Sequence, residues 1–245
     1  MSRKGSCDRS LEDAIEGNYH FDVAETFSEA WQRTYGCKWT FQMAYFYYAL
    51  VVLAFLVAIY FLPFLFGYND DRLAQNPAIK LTVGFWTYSL LKQLAPTLFL
   101  TPLTVGVLMM GIWRSIDREL SATMVFSAYI KLLPLFFTTV LMYIMVGFGL
   151  VLLIIPGIYL FIAYMFALPL VMERGLDPWV AMEVSRKAVS KRWFSLLCFY
   201  LAQGLVLFVS AIPLGLGLIW TLPMVVIANG IAYRNIFGCD ESLPT

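Results

Sequence analysis

The chain has 245 residues, of which 60% are apolar and 13% charged, and its net charge is +1. A soluble domain carries about 25% charged and 45–50% apolar residues, so too few charged side chains are present here to cover a water-facing surface, and the excess hydrocarbon is expected to face lipid. With a net charge so close to zero, no global field attracts nucleic acid.

Residues 1–20 are polar and acidic and read as a flexible N-terminal segment. No secretory signal is expected, because the first long apolar run begins only near Phe41, and Cys7 lacks the preceding apolar stretch of a lipoprotein signal. Residues 22–35 predict an amphipathic helix. Asp22 and Glu25 have capping-box spacing, with Asp replacing the usual Ser or Thr. Glu29 and Arg33 form an i,i+4 pair, while Val23, Phe27, Ala30 and Thr34 line one side with Trp31 beside them.

A transmembrane helix needs about 20 apolar residues at a rise of about 1.5 Å each. Residues 41–66 meet this without a formal charge and are the first expected span, with a bend allowed at Pro63. A turn-rich polar loop covers residues 67–80. Residues 81–113 are apolar but broken by Lys92, Pro96 and Pro102. The second span is therefore placed at 94–113, with 81–91 along the outer interface. A weaker amphipathic segment covers 121–129. The third span is expected at 132–155 and a short fourth at 158–172, which borrows length from its neighbours, with Pro156-Gly157 as the hairpin.

Residues 178–191 give the clearest amphipathic helix. At 100° per residue Glu183, Arg186, Lys187, Ser190 and Lys191 gather on one side, opposite Ala181, Met182, Val184, Ala188 and Val189. Ser185 and Arg192 interrupt the apolar side, though Arg192 can snorkel. Asp177 suits an N-cap, with Pro178 at the first helical position. Residues 193–212 and 216–236 complete six spans, joined by Pro213, Gly215 and Gly217.

The expected fold is all-α: a polytopic helical membrane protein with six transmembrane helices and cytoplasmic amphipathic helices before the odd spans. Its single membrane domain, 21–238, consists of three amphipathic-helix-plus-hairpin units at 21–113, 117–172 and 177–236, followed by a tail at 239–245. Of the 17 Lys and Arg residues, Arg72, Lys80 and Lys92 fall on one side of this arrangement and the other 14 on the opposite side. The positive-inside rule then puts both termini in the cytoplasm.

Pro156-Gly157, Leu168-Pro169, Glu173, Gly175, Ala181, Ser185 and Trp193 read as P-G, P, E-x-G, A-x-x-S and W in order. This pattern resembles a group of bacterial six-span integral-membrane families, and is similar to the membrane domain of some glycerophosphodiester phosphodiesterases. The resemblance covers roughly residues 22–238 and is most specific between Pro156 and Trp193. It implies a bacterial inner-membrane protein. Those phosphodiesterases carry their chemistry on a separate barrel for which this chain has no room, so no catalytic residue is carried over.

The residues themselves assign no catalytic, cofactor-binding or metal site, and the chain is read as a non-enzyme. His20 is the single histidine, and Cys7, Cys37, Cys198 and Cys239 contain no CxxC pair. No GxSxG, HExxH or P-loop spacing occurs. His20 reads as a residue at the start of a helix. Asp117, Glu119, Glu173, Asp177 and Glu183 are expected to pair with nearby Arg or Lys, or to cap helices. Gln203 and Asn229 are the deepest polar side chains. They lie within about one turn of the same depth on antiparallel neighbours, where they either bond each other or line a path. Ala228 and Ala232, one turn apart, suit close packing of the last span. Arg186, Lys187, Lys191 and Arg192 are candidates for anionic lipid headgroups, at about 1 kcal/mol each, or serve topology alone. The expected function is a scaffold or accessory subunit that contacts a protein partner, a second copy or anionic lipid at the cytoplasmic face. A small-solute or lipid transporter with a path near Gln203 and Asn229 is the alternative, and an enzyme acting on lipid headgroups ranks third.

Overall fold

The computed structural model describes residues 10–61 and 83–239, and every regular element among them is helical. In chain order these are α1 (Leu11–Glu16), α2 (Val23–Thr34), α3 (Lys38–Leu56) running into a π-helical turn (Val57–Phe61), α4 (Val83–Ser115), a 3-10 segment (Ala122–Lys131), α5 (Leu132–Leu152), α6 (Ile154–Ala163), α7 (Ala167–Arg174), α8 (Pro178–Lys191), α9 (Trp193–Ala211) and α10 (Leu218–Phe237). Among the described residues five stretches are long and apolar enough to cross a membrane: Lys38–Ile59, Lys92–Ser115, Ala122–Leu152, Ile154–Arg174 and Trp193–Ala211. Their outer surfaces are hydrocarbon. Phe46, Leu53, Phe148, Val151, Leu205 and Phe208 are all exposed, a surface that a bilayer covers without cost. Helix α10 has 20 residues, also enough to cross. Its Asn229, Arg234 and Asn235 interrupt the apolar run, and more than half of its residues are buried.

Three boundaries differ from the sequence expectation. Residues 81–91 do not form a separate interfacial segment as far as they are described: α4 is one helix of 33 residues through Lys92, Pro96 and Pro102, about 50 Å long. A proline withholds one backbone donor, and a membrane helix survives that when a neighbour supplies another. In α10, where Pro223 cannot serve the Ile219 carbonyl, Gln42 Nε2 of α3 donates to it at 3.0 Å. Near Pro102, the Tyr129 hydroxyl ties the 3-10 segment to α4 by donating to the Phe99 carbonyl at 2.8 Å.

The second difference is the hairpin between the third and fourth spans. The chain turns at Leu153, whose backbone is extended (φ −159°, ψ 143°), and Pro156-Gly157 lies inside the first turn of α6. Proline is tolerated there because its missing N–H would have no helical partner. Gly157 instead lets α5 and α6 touch, since a Cβ on it would lie 2.8 Å from the Leu150 nitrogen. The fourth span then gains the length that 158–172 lacked, as α6 and α7 joined through Tyr164–Phe166.

The third concerns the N-terminal segment. Residues 11–16 are helical, capped by Ser10, which accepts from the Asp13 N–H at 3.2 Å. Ala14 is fully buried, and the Tyr19 hydroxyl donates to the Ala188 carbonyl at 2.9 Å. Cys7, the loop at 67–80, the end of the first span beyond Phe61, and the tail from residue 240 lie outside the described residues.

The core sits where α4 crosses α10. Ala228 and Ala232 are fully buried, and two glycines set the distance at the crossing itself. A Cβ on Gly230 would lie 2.2 Å from the Gly111 carbonyl oxygen, and one on Gly111 would lie 2.3 Å from the Val226 carbonyl oxygen. Backbone therefore meets backbone, the geometry by which membrane helices gain dispersion contact in a medium without a hydrophobic drive.

Candidate functional site

The end of the bundle where α2, α4 and α10 meet carries a knot of ion pairs. Asp22 caps α2 by accepting from the Glu25 N–H at 2.8 Å. One turn into that helix Glu29 receives Arg33 Nε at 2.7 Å, the local pair expected from spacing. What joins them has no local signal in the chain. Arg234 of α10 grips the same carboxylate with both terminal nitrogens, at 3.0 and 2.9 Å, and also donates to the Ser115 carbonyl at the end of α4. Arg114 donates to the Arg33 and Tyr35 carbonyls at 3.0 and 3.1 Å, and so closes the end of α2. Arg33 in turn reaches Asp117 at 2.5 Å. Burial raises the Glu29 pKa, but the Arg234 and Arg33 guanidiniums outweigh it and hold the carboxyl below its usual range.

Helix α8 spans Pro178–Lys191 with Asp177 at its N-cap position, although the Asp177 side chain makes no capping bond. Its buried face is Ala181, Met182, Val184, Ser185, Ala188 and Val189. Ser185, which broke the apolar pattern, binds the gap between α6 and α7. Its Oγ donates to the Ala163 carbonyl at 2.7 Å and accepts from the Phe166 N–H at 3.3 Å. The other residues of the P-G to W pattern also do structural work. Pro169 and Glu173 are buried, Gly175 ends α7 in the left-handed region (φ 64°), Ala181 is fully buried, and Trp193 opens α9. Only glycine adopts the left-handed conformation there without strain.

Of the basic residues singled out on α8, Lys187 bonds Glu183 at 2.8 Å one turn away. Arg192 lies 5.7 Å from the Tyr19 ring. The Tyr19 hydroxyl is pushed up to about 12, because burial disfavours its anion more than Arg192 favours it. Lys187, Ser190, Lys191 and Arg192 are exposed and Arg186 is half-buried. Trp179 and Val180 extend the exposed surface at the start of the helix, at 59% and 44% exposure.

Gln203 and Asn229 meet. Gln203 Nε2 donates to Asn229 Oδ1 at 3.2 Å, and Asn229 Nδ2 donates to Gln203 Oε1 at 3.3 Å and to the Val225 carbonyl at 3.0 Å. This reciprocal amide pair joins α9 to α10. Next to it is a cavity of about 80 Å³ whose wall includes Met165, Phe166, Tyr200, Asn229 and Tyr233. Glu173, with a fully buried side chain, faces the Tyr233 hydroxyl and lies 3.9 Å from Arg174 Nε.

His20 is exposed, 3.6 Å from Glu25 at the start of α2. Cys37, Cys198 and Cys239 form no disulfide, and Cys37 and Cys239 are buried. Burial also pushes the Cys37 thiol up, against the opposing pull of Arg114. Among the described residues no group of three His, Cys, Asp or Glu side chains is placed to hold a metal ion. Fold and surface define an all-α, multi-pass membrane protein. No protein-family model, curated protein or solved structure matches the chain.

Proposed function

We propose that the chain is a non-enzymatic protein of the bacterial inner membrane, with both termini in the cytoplasm, that serves as a scaffold or accessory subunit. The contact surface is α8 at the cytoplasmic face, offered to a protein partner, a second copy or anionic lipid. The observation that carries this reading is the division of α8: one face is locked into the bundle, while Trp179, Val180, Lys187, Lys191 and Arg192 face outward. A photo-crosslinking residue at Lys187 in native membranes is expected to give a discrete adduct with one protein or with anionic phospholipid. The same residue at Val151, 85% exposed on the apolar surface, should give the bulk lipid mixture. Identical adducts at both positions would refute the docking surface.

Orientation rests on the distribution of 14 basic residues against 3. Cys239 is a poor reporter because it is 2% exposed. Leu214, 96% exposed in the α9–α10 turn, is better placed. In intact spheroplasts an impermeant maleimide should label Leu214→Cys and leave Lys187→Cys unlabelled. The reverse pattern would invert the topology.

The cavity beside Asn229 favours a second reading, a small-solute or lipid transporter. Asn229→Leu separates the two. As a scaffold, the variant loses about 1–2 kcal/mol of stability with the amide pair and solute flux in proteoliposomes stays at background in both forms. Wild-type flux abolished by Asn229→Leu at unchanged stability would favour the transporter.

A further inference from the structure

We propose that the cavity between α4, the α6–α7 junction, α9 and α10 is a binding site for a small neutral amphiphile, a molecule of about six heavy atoms with an apolar body and one hydroxyl group. The inference is independent of the scaffold reading. Size comes first. The cavity measures about 80 Å³, and one water takes up roughly 10–15 Å³ of such space, so it accepts a small organic molecule and excludes a lipid headgroup.

Wall chemistry sets the class. Ile112 and Leu108 of α4 and the rings of Phe166 and Tyr200 make most of the lining apolar, and among the described residues no charged side chain contributes to it. An ion in such a wall would lack compensation for its lost hydration, which selects a neutral ligand. One polar group then fixes an orientation. The Asn229 amide lines the cavity, held in place by Gln203; its nitrogen is spent on Gln203 and the Val225 carbonyl, and its oxygen keeps a second lone pair for a donor. A mostly apolar pocket with a polar group held at a fixed place in its wall is the usual form of a small-molecule site.

The wall is also assembled from four separate parts of the chain and is held open by interactions already described. Ser185 fixes the α6–α7 junction that carries Met165 and Phe166, and the Gly111–Gly230 crossing fixes α4 against α10. The site therefore requires no rearrangement to form, which keeps the ordering cost of binding low.

Fluorine NMR on the full-length protein in detergent tests the proposal, with para-fluorophenol and fluorobenzene as the two probes. Wild type should bind fluorophenol saturably and more tightly than fluorobenzene. Leu108→Trp and Met165→Phe fill the cavity from opposite walls. Each is expected to abolish saturable binding, and a melting curve for each variant establishes that at least one has folded. Asn229→Leu keeps most of the volume and removes the amide, so it should weaken fluorophenol about 2- to 10-fold and leave fluorobenzene unchanged. Uptake that is equal in wild type and in a folded cavity-filled variant would be detergent partitioning, and would overturn the site. Equal affinity for the two probes in wild type would overturn its polar specificity.

Discussion

Gly230→Ala is expected to destabilise the detergent-solubilised protein by about 2–3 kcal/mol, the net of two opposing effects. Alanine gains roughly 1 kcal/mol over glycine inside a helix. Against this, the added Cβ would lie 2.2 Å from the Gly111 carbonyl oxygen and 2.6 Å from the Ile112 nitrogen. Both are backbone atoms of α4, so no rotamer change relieves the clash, and the two most central helices must part by about 1 Å. Overpacking of this kind costs about 1–3 kcal/mol, and more where backbone has to move. Here the moved contact is the one on which the remaining helices assemble. Gly204 of α9 is the control: nothing lies within 4 Å of its Cβ position, so Gly204→Ala should melt at or above the wild-type temperature. If Gly230→Ala melted like Gly204→Ala, the close crossing of α4 and α10 would be wrong.

That glycine pair also shows where a sequence stops being informative. Gly230 sits in an apolar helical run with no local feature to distinguish it, and its partner Gly111 is remote in the chain. The features that were legible are those with short-range causes. Helix α8 begins at Pro178 and ends at Lys191 as expected, because proline at the first position and a strong division of charge are local signals. Gln203 and Asn229 were placed at one depth by counting from a short turn, and helix rotation, the unknown in that count, proves to aim them at each other. The hairpin at Leu153 was misplaced for a physical reason. Proline is tolerated in the first turn of a helix as readily as just before it, so Pro156 marks a boundary only to within a few residues. Ser185 looked like a flaw in an amphipathic pattern. Its partners, the Ala163 carbonyl and the Phe166 N–H, belong to a helix break that periodicity does not reveal.

The basic end was the least legible part of the candidate site, because Glu29 and Arg234 are 205 residues apart and each has an unremarkable local reading. Their bidentate pair leads to the second large effect. Arg234→Met is expected to cost about 2–3 kcal/mol, less than the 3–5 kcal/mol typical of a fully buried pair because the Glu29 side chain is 28% exposed. The loss has two parts. Glu29 keeps only Arg33, and the Ser115 carbonyl at the end of α4 loses its donor. Glu29→Gln should cost less, since an amide still accepts from both guanidiniums. In the double variant the two losses should add to less than their sum, the mark of a direct interaction. Acidity gives an independent readout. The folded pKa of Glu29 lies below its ordinary value of 4.5. Its contribution is therefore complete above pH 4.5 and is lost as pH falls through the lower folded value. Wild type should lose stability over that acid range more steeply than Glu29→Gln does, with the difference between them vanishing once the carboxyl is protonated. Parallel acid profiles for the two proteins, or strict additivity in the cycle, would remove Arg234 from Glu29 and leave α2 joined to the bundle by Arg114, by the Arg33–Asp117 pair and by packing.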